Sequence, residues 1–468
     1  MVISLNSLIS LIFLIIQMQH TLPQAFIQNI EAQIDDATLL FEALDGSAPV
    51  SMRVNPSKVF DATIGEAIPW TSTGIYLPER PIFTLDPAYH AGAYYVQEAS
   101  SMLIARALDS LPNLKNRPIR ILDLCAAPGG KSTLLAQTFS ENSLLVANEI
   151  IKTRVPILKE NLLRWGYPNV VVTSVDPEQF AKISHFFDVI LVDAPCSGEG
   201  MFRKIPASRN EWSASNVAMC AARQKKIIAA VQTALKPGGI LLYSTCTYNP
   251  QENIENVDWM SQEFDLQSVK IDDLQEFGVA EISKNNVLGY QCFPHKVRGE
   301  GFFMSVLMKN GIEINEKRRI ESLKYVQKLD KKEAELLNTH IKNDAYEYFK
   351  NPINEVVAIA KNNVEAIAIL EKAIKVNYIS IVGELKGKDF VPGHFLALST
   401  FFEHPFSSIE LDKQTALHFL KKENILVNAP QGWYRMTFGG NGLGFAKVLP
   451  NRINNYLPKE WRIRMDVE

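Results

Sequence analysis

The sequence predicts an α/β protein built on a doubly wound, mostly parallel sheet, with a small α+β unit before it and a β-rich unit after it. Three observations carry this expectation. Between residues 119 and 309 short apolar runs alternate with helical stretches, the pattern of strands buried on both faces with crossover helices between them. A glycine-rich turn, Ala126-Ala127-Pro128-Gly129-Gly130-Lys131, follows the first of those runs, and two cysteine-bearing turns follow later ones. Open α/β sheets bind ligands beyond the carboxyl ends of their strands, so each motif stands where such a sheet presents its site.

The chain has 468 residues, 47% of them hydrophobic, which suits about three domains of roughly 150 residues each. Net charge is -3, so any nucleic-acid surface must be a local basic patch. Five cysteines, an odd number with no close-set pair, argue against a disulfide scaffold and for a reducing, cytoplasmic compartment, and no CxxC pair points to a metal. Residues 8–16 are nearly all apolar, but this run is about half of the ~20 residues that span a bilayer. No Lys or Arg precedes it, as a secretory signal would require. Residues 1–17 therefore read as an apolar extension, with Met18 as a candidate start, and no membrane partner is expected.

In order along the chain, 18–115 forms the α+β unit: Phe26, Ile30 and Ile34 mark an amphipathic helix, and strands fall near 50–55 and 75–77. A helix opens near Gln97, with Ser100 or Ser101 in reach of capping it. The central domain, 116–310, carries strands at 119–124, 144–148, 170–173, 189–192, 240–244 and 302–308. The Lys-, Glu- and Asn-rich stretch 311–380 reads as a helical connection, with a helix over 323–337. Short strands at 379–382, 395–398, 433–438 and 442–448 make 381–468 a compact β-rich domain.

Glycine carries no side chain, so the turn at Gly129 and Gly130 lets backbone amides approach a ligand closely. A phosphate loop would need glycine where Cys125 stands, and the dinucleotide fingerprint G-x-G-x-x-G is absent as well. Glu149, ending the second run, can bind both hydroxyls of a ribose, and Asp176, beyond the third, can hold an adenine amino group. Otherwise the two carboxylates cap the turns that follow them. These placements suit S-adenosyl-L-methionine, which has a ribose and an adenine but no phosphate.

Two further motifs, Asp193-Ala194-Pro195-Cys196-Ser197-Gly198 and Ser244-Thr245-Cys246-Thr247-Tyr248, place cysteines beside polar turns at strand ends. Carbon 5 of cytosine becomes nucleophilic only after something adds to carbon 6, and a thiolate suits that addition. A base must then remove the carbon 5 proton. Two thiols and a carboxylate cover these steps, and point to methylation of cytosine at carbon 5. Asp193 can accept from the cytosine amino group, help protonate the ring, or simply cap the next turn. Lys204 can neutralise RNA phosphate, aid ring protonation, or be a solvated surface residue. Cys220 and Cys292 read as buried small hydrophobes, and Cys125 as a structural residue of the cofactor turn.

With these residues assembled, the chain resembles the NOP/Sun family of RNA 5-methylcytosine methyltransferases, especially the bacterial RsmF-like group acting on 16S ribosomal RNA. The resemblance rests on residues 123–132, on 193–204 and on 243–253, and covers most of the chain. It implies a Rossmann-like S-adenosylmethionine-dependent methyltransferase domain, with Cys246 as the nucleophile of a covalent adduct and Cys196 as the residue that resolves it. The family's cofactor contacts fall on Cys125, Ala126, Ala127, Pro128, Gly129, Gly130, Lys131, Glu149, Asp176 and Asp193. Residues 442–447 and 451–462 resemble a PUA-like RNA-binding end, where Lys and Arg with Tyr and Trp can pair phosphates and stack bases, and the N-terminal α+β domain is expected to bind RNA too. The expected partner is ribosomal RNA, within the small subunit, and the expected state is a monomer without metal. Two other readings stay open: the same chemistry on tRNA or 23S rRNA, and a non-catalytic RNA-binding assembly factor.

Overall fold

The computed structural model describes residues 21–312 and 322–466; the apolar run expected at 8–16 lies outside them. Two helices, Gln24–Glu31 and Ala37–Asp45, lead the chain. Their apolar faces, with Phe26, Ile30, Leu40 and Leu44 buried, pack against Phe202, Trp212, Tyr248 and Phe293 of the central domain. Phe26 meets the Phe202 ring edge-on at 5.0 Å, so this helical pair braces the turns that follow both cysteine motifs. Strands β1 (Val50–Val54), β2 (Glu66–Ala67), β3 (Gly74–Leu77) and β4 (Tyr94–Val96) form an antiparallel sheet in the order β2-β3-β1-β4.

Beyond β4 the expected serine cap is replaced by a carboxylate. Both Glu98 side-chain oxygens accept backbone N–H groups, from Ser100 and from Ser101, each at 2.8 Å. The helix Leu103–Asp109 follows through a short 3-10 turn, Ser100–Met102.

The central sheet runs β5 (Arg120–Asp123), β6 (Leu144–Asn148), β7 (Val170–Thr173), β8 (Phe187–Asp193), β9 (Leu235–Thr245), β10 (Leu266–Ser268), β11 (Ala280–Lys284), β12 (Val287–Cys292) and β13 (Phe302–Lys309). Only β5 to β9 pair in parallel, in the spatial order β9-β8-β5-β6-β7. The added strands β10 to β13 are antiparallel, so the sheet is mixed rather than mostly parallel. β10 and β11 are short and partly exposed and so leave no apolar run, while β13, buried like a parallel strand, pairs antiparallel with β9 all the same. Strand order reverses between β5 and β8, which opens a crevice at their carboxyl ends.

The stretch 311–380 is not a helical connection. It contributes β14 (Gln327–Lys328), β15 (Tyr346–Lys350), β16 (Glu355–Ala360) and β17 (Val376–Tyr378), with helices Lys331–Asn338 and Val364–Ala373. The helix expected over 323–337 begins only at Lys331, where Asp330 and Glu333 form a capping box. Strands on both sides of residue 380 share one sheet, β14-β15-β16-β18-β19, completed by β18 (Ile381–Lys386) and β19 (Asp389–Pro392). β17 leaves that unit and pairs antiparallel with β7 at the edge of the central sheet. The strand expected at 395–398 is instead a helical turn, His394–Leu398, because four consecutive buried apolar residues fit either periodicity. Last come β20 (Ser407–Glu410), β21 (Gly432–Phe438), β22 (Asn441–Leu449) and β23 (Arg452–Asn455), which form a four-stranded sheet covered by the helix Lys413–Lys421.

Candidate active site

Three strand ends converge at the reversal point. Asp193 closes β8 in register with Ser244 of β9, and Asp123 closes β5 opposite Leu191. Cys196 and Cys246, in the turns just past β8 and β9, bring their sulfur atoms to 3.2 Å. Ser244 Oγ donates to Asp193 Oδ1 at 2.8 Å, and Lys131 Nζ lies 2.8 Å from Asp193 Oδ2. The three motifs, far apart in the chain, thus share one small volume.

The glycine turn needs its glycines. Gly129 sits at φ 116, in the left-handed region that L side chains avoid, and a Cβ on Gly130 would stand 3.2 Å from the Tyr95 ring. Tyr95, Gln97, Cys125, Ala126, Lys131 and Asp193 wall a cavity of about 180 Å³, which Pro128 and Gly130 also border. The N-terminal sheet therefore forms one wall of this cavity. Arg53 of β1, fully buried, locks that wall: its guanidinium donates to Gln97 Oε1 at 2.8 Å and to the Gly130 carbonyl at 3.1 Å, and lies 4.5 Å from the Trp165 ring centre.

Charge is arranged unevenly. Burial opposes the Lys131 ammonium, but the Asp193 carboxylate outweighs it and holds the lysine above its usual value. Burial pushes the Asp123 carboxyl up to about 7 although Ser132 Oγ donates to its Oδ2 at 2.6 Å; its Oδ1 has no protein partner. Contact with Cys246, then burial, holds the Cys196 thiol well above the ordinary range, so Cys196 keeps its proton. Burial raises the Cys125 thiol as well.

Glu149 and Asp176 do not line the cavity. Glu149 accepts the Ile151 N–H at 2.8 Å and meets Arg154 at 3.4 Å, while the exposed Asp176 caps the turn Pro177–Lys182 through the Glu178 N–H at 3.0 Å. Lys204 is exposed, and Cys220 and Cys292 are buried. An amino-acid zwitterion fits the cavity end: Lys131 offers a cation, Asp193 an anion, and the unpartnered Asp123 Oδ1 a further acceptor nearby. That donor set suits the methionine portion of S-adenosylmethionine.

Two buried acids that the motif reading left without a role hold the cysteine turns. Glu199 Oε2 accepts from Thr247 Oγ1 at 2.8 Å and from the Tyr248 N–H at 3.0 Å, and the Gly200 N–H donates to the Cys246 carbonyl at 2.8 Å. Glu252 Oε2 accepts from the Ser197 N–H and from Gln224 Nε2, each at 2.9 Å. Their partners lie 28 to 55 residues away in the chain, so no local signal marks these acids. Among the described residues, no group of three or more His, Cys, Asp or Glu could hold a metal ion, and no helix is long and apolar enough to cross a membrane.

Most of the chain matches known proteins. Residues 111–308 match the family described as 16S rRNA methyltransferase RsmB/F, residues 22–99 the N-terminal domain of 16S rRNA methyltransferase RsmF, and residues 406–463 the methyltransferase RsmF PUA domain. A ribosomal RNA small subunit methyltransferase F from Shewanella loihica is 30% identical over 94% of this chain and 95% of its own. One from Pectobacterium atrosepticum is 39% identical over 53% of this chain and 51% of its own length. The solved structure of NSun6 from Pyrococcus horikoshii with SFG shares the fold, with a TM-score of 0.53 and 20% identity over 63% of this chain and 100% of that one. The chain belongs to the RsmB/F family of 16S rRNA methyltransferases, in the group of the small subunit methyltransferases F.

Proposed function

We propose that the protein methylates carbon 5 of a cytosine in 16S rRNA, using S-adenosylmethionine, through a transient bond between Cys246 Sγ and carbon 6 of the ring. The observation that carries this reading is the 3.2 Å approach of the Cys196 and Cys246 sulfurs beside the Lys131–Asp193 pair. When bound, the cofactor supplies an electrophilic methyl group on a sulfonium. Lys131, Asp193 and the turn 125–130 would hold its amino-acid end; Glu149 and Asp176, which the family resemblance counts among the cofactor contacts, would take the ribose hydroxyls and the adenine amino group by their positions at the strand ends.

The cytosine must leave its stack to expose carbon 6. Cys246, as a thiolate, adds at carbon 6 and makes carbon 5 a nucleophile; once carbon 5 is methylated, the sulfur of Cys196, which must first release its own thiol proton to solvent, takes the carbon 5 proton, and Cys246 departs as a thiolate. Asp193, fixed by Ser244 and Lys131, faces the same volume and can steady charge developing on the ring. RNA reaches the site from the C-terminal domain, where Lys447 Nζ lies 5.5 Å from the Trp433 ring centre and Trp433 packs on Tyr456 at 4.5 Å. The substrate is small-subunit rRNA and the setting the cytoplasm, with the protein acting as a monomer.

Mapping of 5-methylcytosine in each RNA class, with and without the protein, tests the reading: one 16S position should lose its mark when the protein is removed. Cys246→Ala should abolish methylation, and Cys196→Ala should leave protein bound to RNA on denaturing gels. Methylation by Cys246→Ala, or a mark lost only from tRNA or 23S rRNA, overturns it.

A further inference from the structure

Behind the two thiols stand four oxygens in a row: Glu252 Oε1, Ser197 Oγ, Thr247 Oγ1 and Glu199 Oε2. Ser197 Oγ and Glu252 Oε1 are in close hydrogen-bond contact. Ser197 Oγ is 3.0 Å from Thr247 Oγ1, which is 2.8 Å from Glu199 Oε2. Each of these contacts needs one proton between its oxygens, and each hydroxyl carries only one. Three contacts share two hydroxyl protons, so the third must sit on a carboxyl group.

The other partners decide which one. Glu199 also accepts from Trp212 Nε1 at 2.9 Å and from the Tyr248 N–H at 3.0 Å, a donor on each oxygen that suits an anion. Glu252 receives its two nitrogen donors on Oε2 alone, leaving Oε1 to face only the Ser197 hydroxyl. The chain then runs one way: Glu252 donates to Ser197, Ser197 to Thr247, and Thr247 to Glu199.

We propose that Glu252 is a positioning residue which, as a neutral carboxylic acid at the head of this chain, ties the Cys196 turn to the Cys246 turn. The inference rests on the reading that both thiols serve one cytosine. Ser197 follows Cys196 and Thr247 follows Cys246, so the Ser197–Thr247 bond links the two backbones one residue from the reacting sulfurs. Without the extra proton, Ser197 and Thr247 each donate outward to a carboxylate, their own contact sets lone pair against lone pair, and the turns part. Of the groups facing Glu252, Glu199 favours its neutral form, although burial raises the Glu199 carboxyl as well, while the donors on Ser197 and Gln224 favour the anion. Also packed around it are the Cys196 thiol, Cys220 on the helix Ala214–Val231 with Arg223 at 3.2 Å from its sulfur, and Tyr243 of β9, whose hydroxyl donates to the backbone carbonyl of Glu252 at 2.6 Å. Burial, with Glu199 adding to it and Ser197 and Gln224 opposing, raises the Glu252 carboxyl to about 7.

Infrared difference spectroscopy on the RNA-free protein tests the proton directly. A carboxylic acid C=O band should be present at pH 6 in the wild type, bleach as pH rises through about 7, and be missing in Glu252→Gln. Ser197→Ala should keep the band and shift its frequency, which preserves the test if the glutamine variant fails to fold. The kinetic arm uses the amide of Glu252→Gln, which can donate to Ser197 at any pH: the wild-type kcat should fall several-fold on the alkaline side and the variant's should not, with the cofactor KM unchanged in both. No Glu252-dependent band at pH 6, or identical alkaline falls in the two proteins, overturns the proposal. A band without any methyl transfer would sink the functional reading and leave the shared proton standing.

Discussion

Arg53 Nη2 donates to the Gly130 carbonyl at 3.1 Å, across the boundary between the N-terminal sheet and the cofactor turn. Every acceptor within its reach is neutral: Gln97, Gln137, Gly130 and Thr133. The arginine is therefore a brace. Arg53→Met leaves these buried acceptors unpaired, at about 1–3 kcal/mol for each one not rescued by water. The expected outcome is a lower melting temperature and a cofactor KM raised about tenfold, equivalent to ~1.4 kcal/mol, with kcat little altered; calorimetric titration of a cofactor analogue checks it.

Asp123 predicts a dependence on pH. Its carboxyl lies near 7 in the fold against 3.8 in a free chain, so the folded protein binds the extra proton between these values and stability falls as pH rises through that window. Three units correspond to about 4 kcal/mol at most. Asp123→Asn removes the penalty: without cofactor it should match the wild type near pH 4 and exceed it at pH 8 in denaturant melts. Its cofactor affinity should drop, because the unpartnered oxygen becomes a weaker acceptor.

The pair Lys131–Asp193 predicts non-additivity. Lys131→Met strands a half-buried carboxylate and should destabilise by about 2 kcal/mol, with kcat reduced at least tenfold. Adding Asp193→Asn should restore most of the stability and none of the activity. A double-mutant cycle in urea, run beside methyl-transfer assays, separates the two effects.

Trp433 offers an aromatic face next to Lys447 on the C-terminal sheet. Trp433→Ala should weaken rRNA binding about tenfold, since base stacking on an aromatic is worth about 1–3 kcal/mol. Filter binding should show that loss while kcat at saturating RNA stays unchanged. Lys447→Gln should instead flatten the salt dependence by about one phosphate contact.

Much of the candidate site was legible because each of its motifs is a short stretch of chain. The bounds expected at 144–148 and 170–173 coincide with β6 and β7, whose residues are buried along their whole length. Cys196, Cys246, Asp193 and Lys131 announced themselves by standing in polar turns at strand ends. Arg53 could not, since its partners lie 44 to 84 residues away and an isolated arginine in a short strand looks like surface. Glu149 and Asp176 were legible as carboxylates at strand ends, but their present bonds are to neighbouring backbone, which sequence cannot separate from ligand contacts. β15 escaped because Glu347 and Lys350 sit among its aromatics in a charge-rich stretch, and β16 because the unbroken apolar run 356–360 fits a buried helix as well as a strand.

β17, a three-residue strand from beyond the methyltransferase domain, caps the outer side of β7. A fragment trimmed at Lys309 keeps every motif of the candidate site yet exposes a row of bare amide and carbonyl groups along β7, the surface that recruits stray strands into aggregates. Solubility of the isolated enzyme core thus depends on a distant stretch of chain that performs no chemistry.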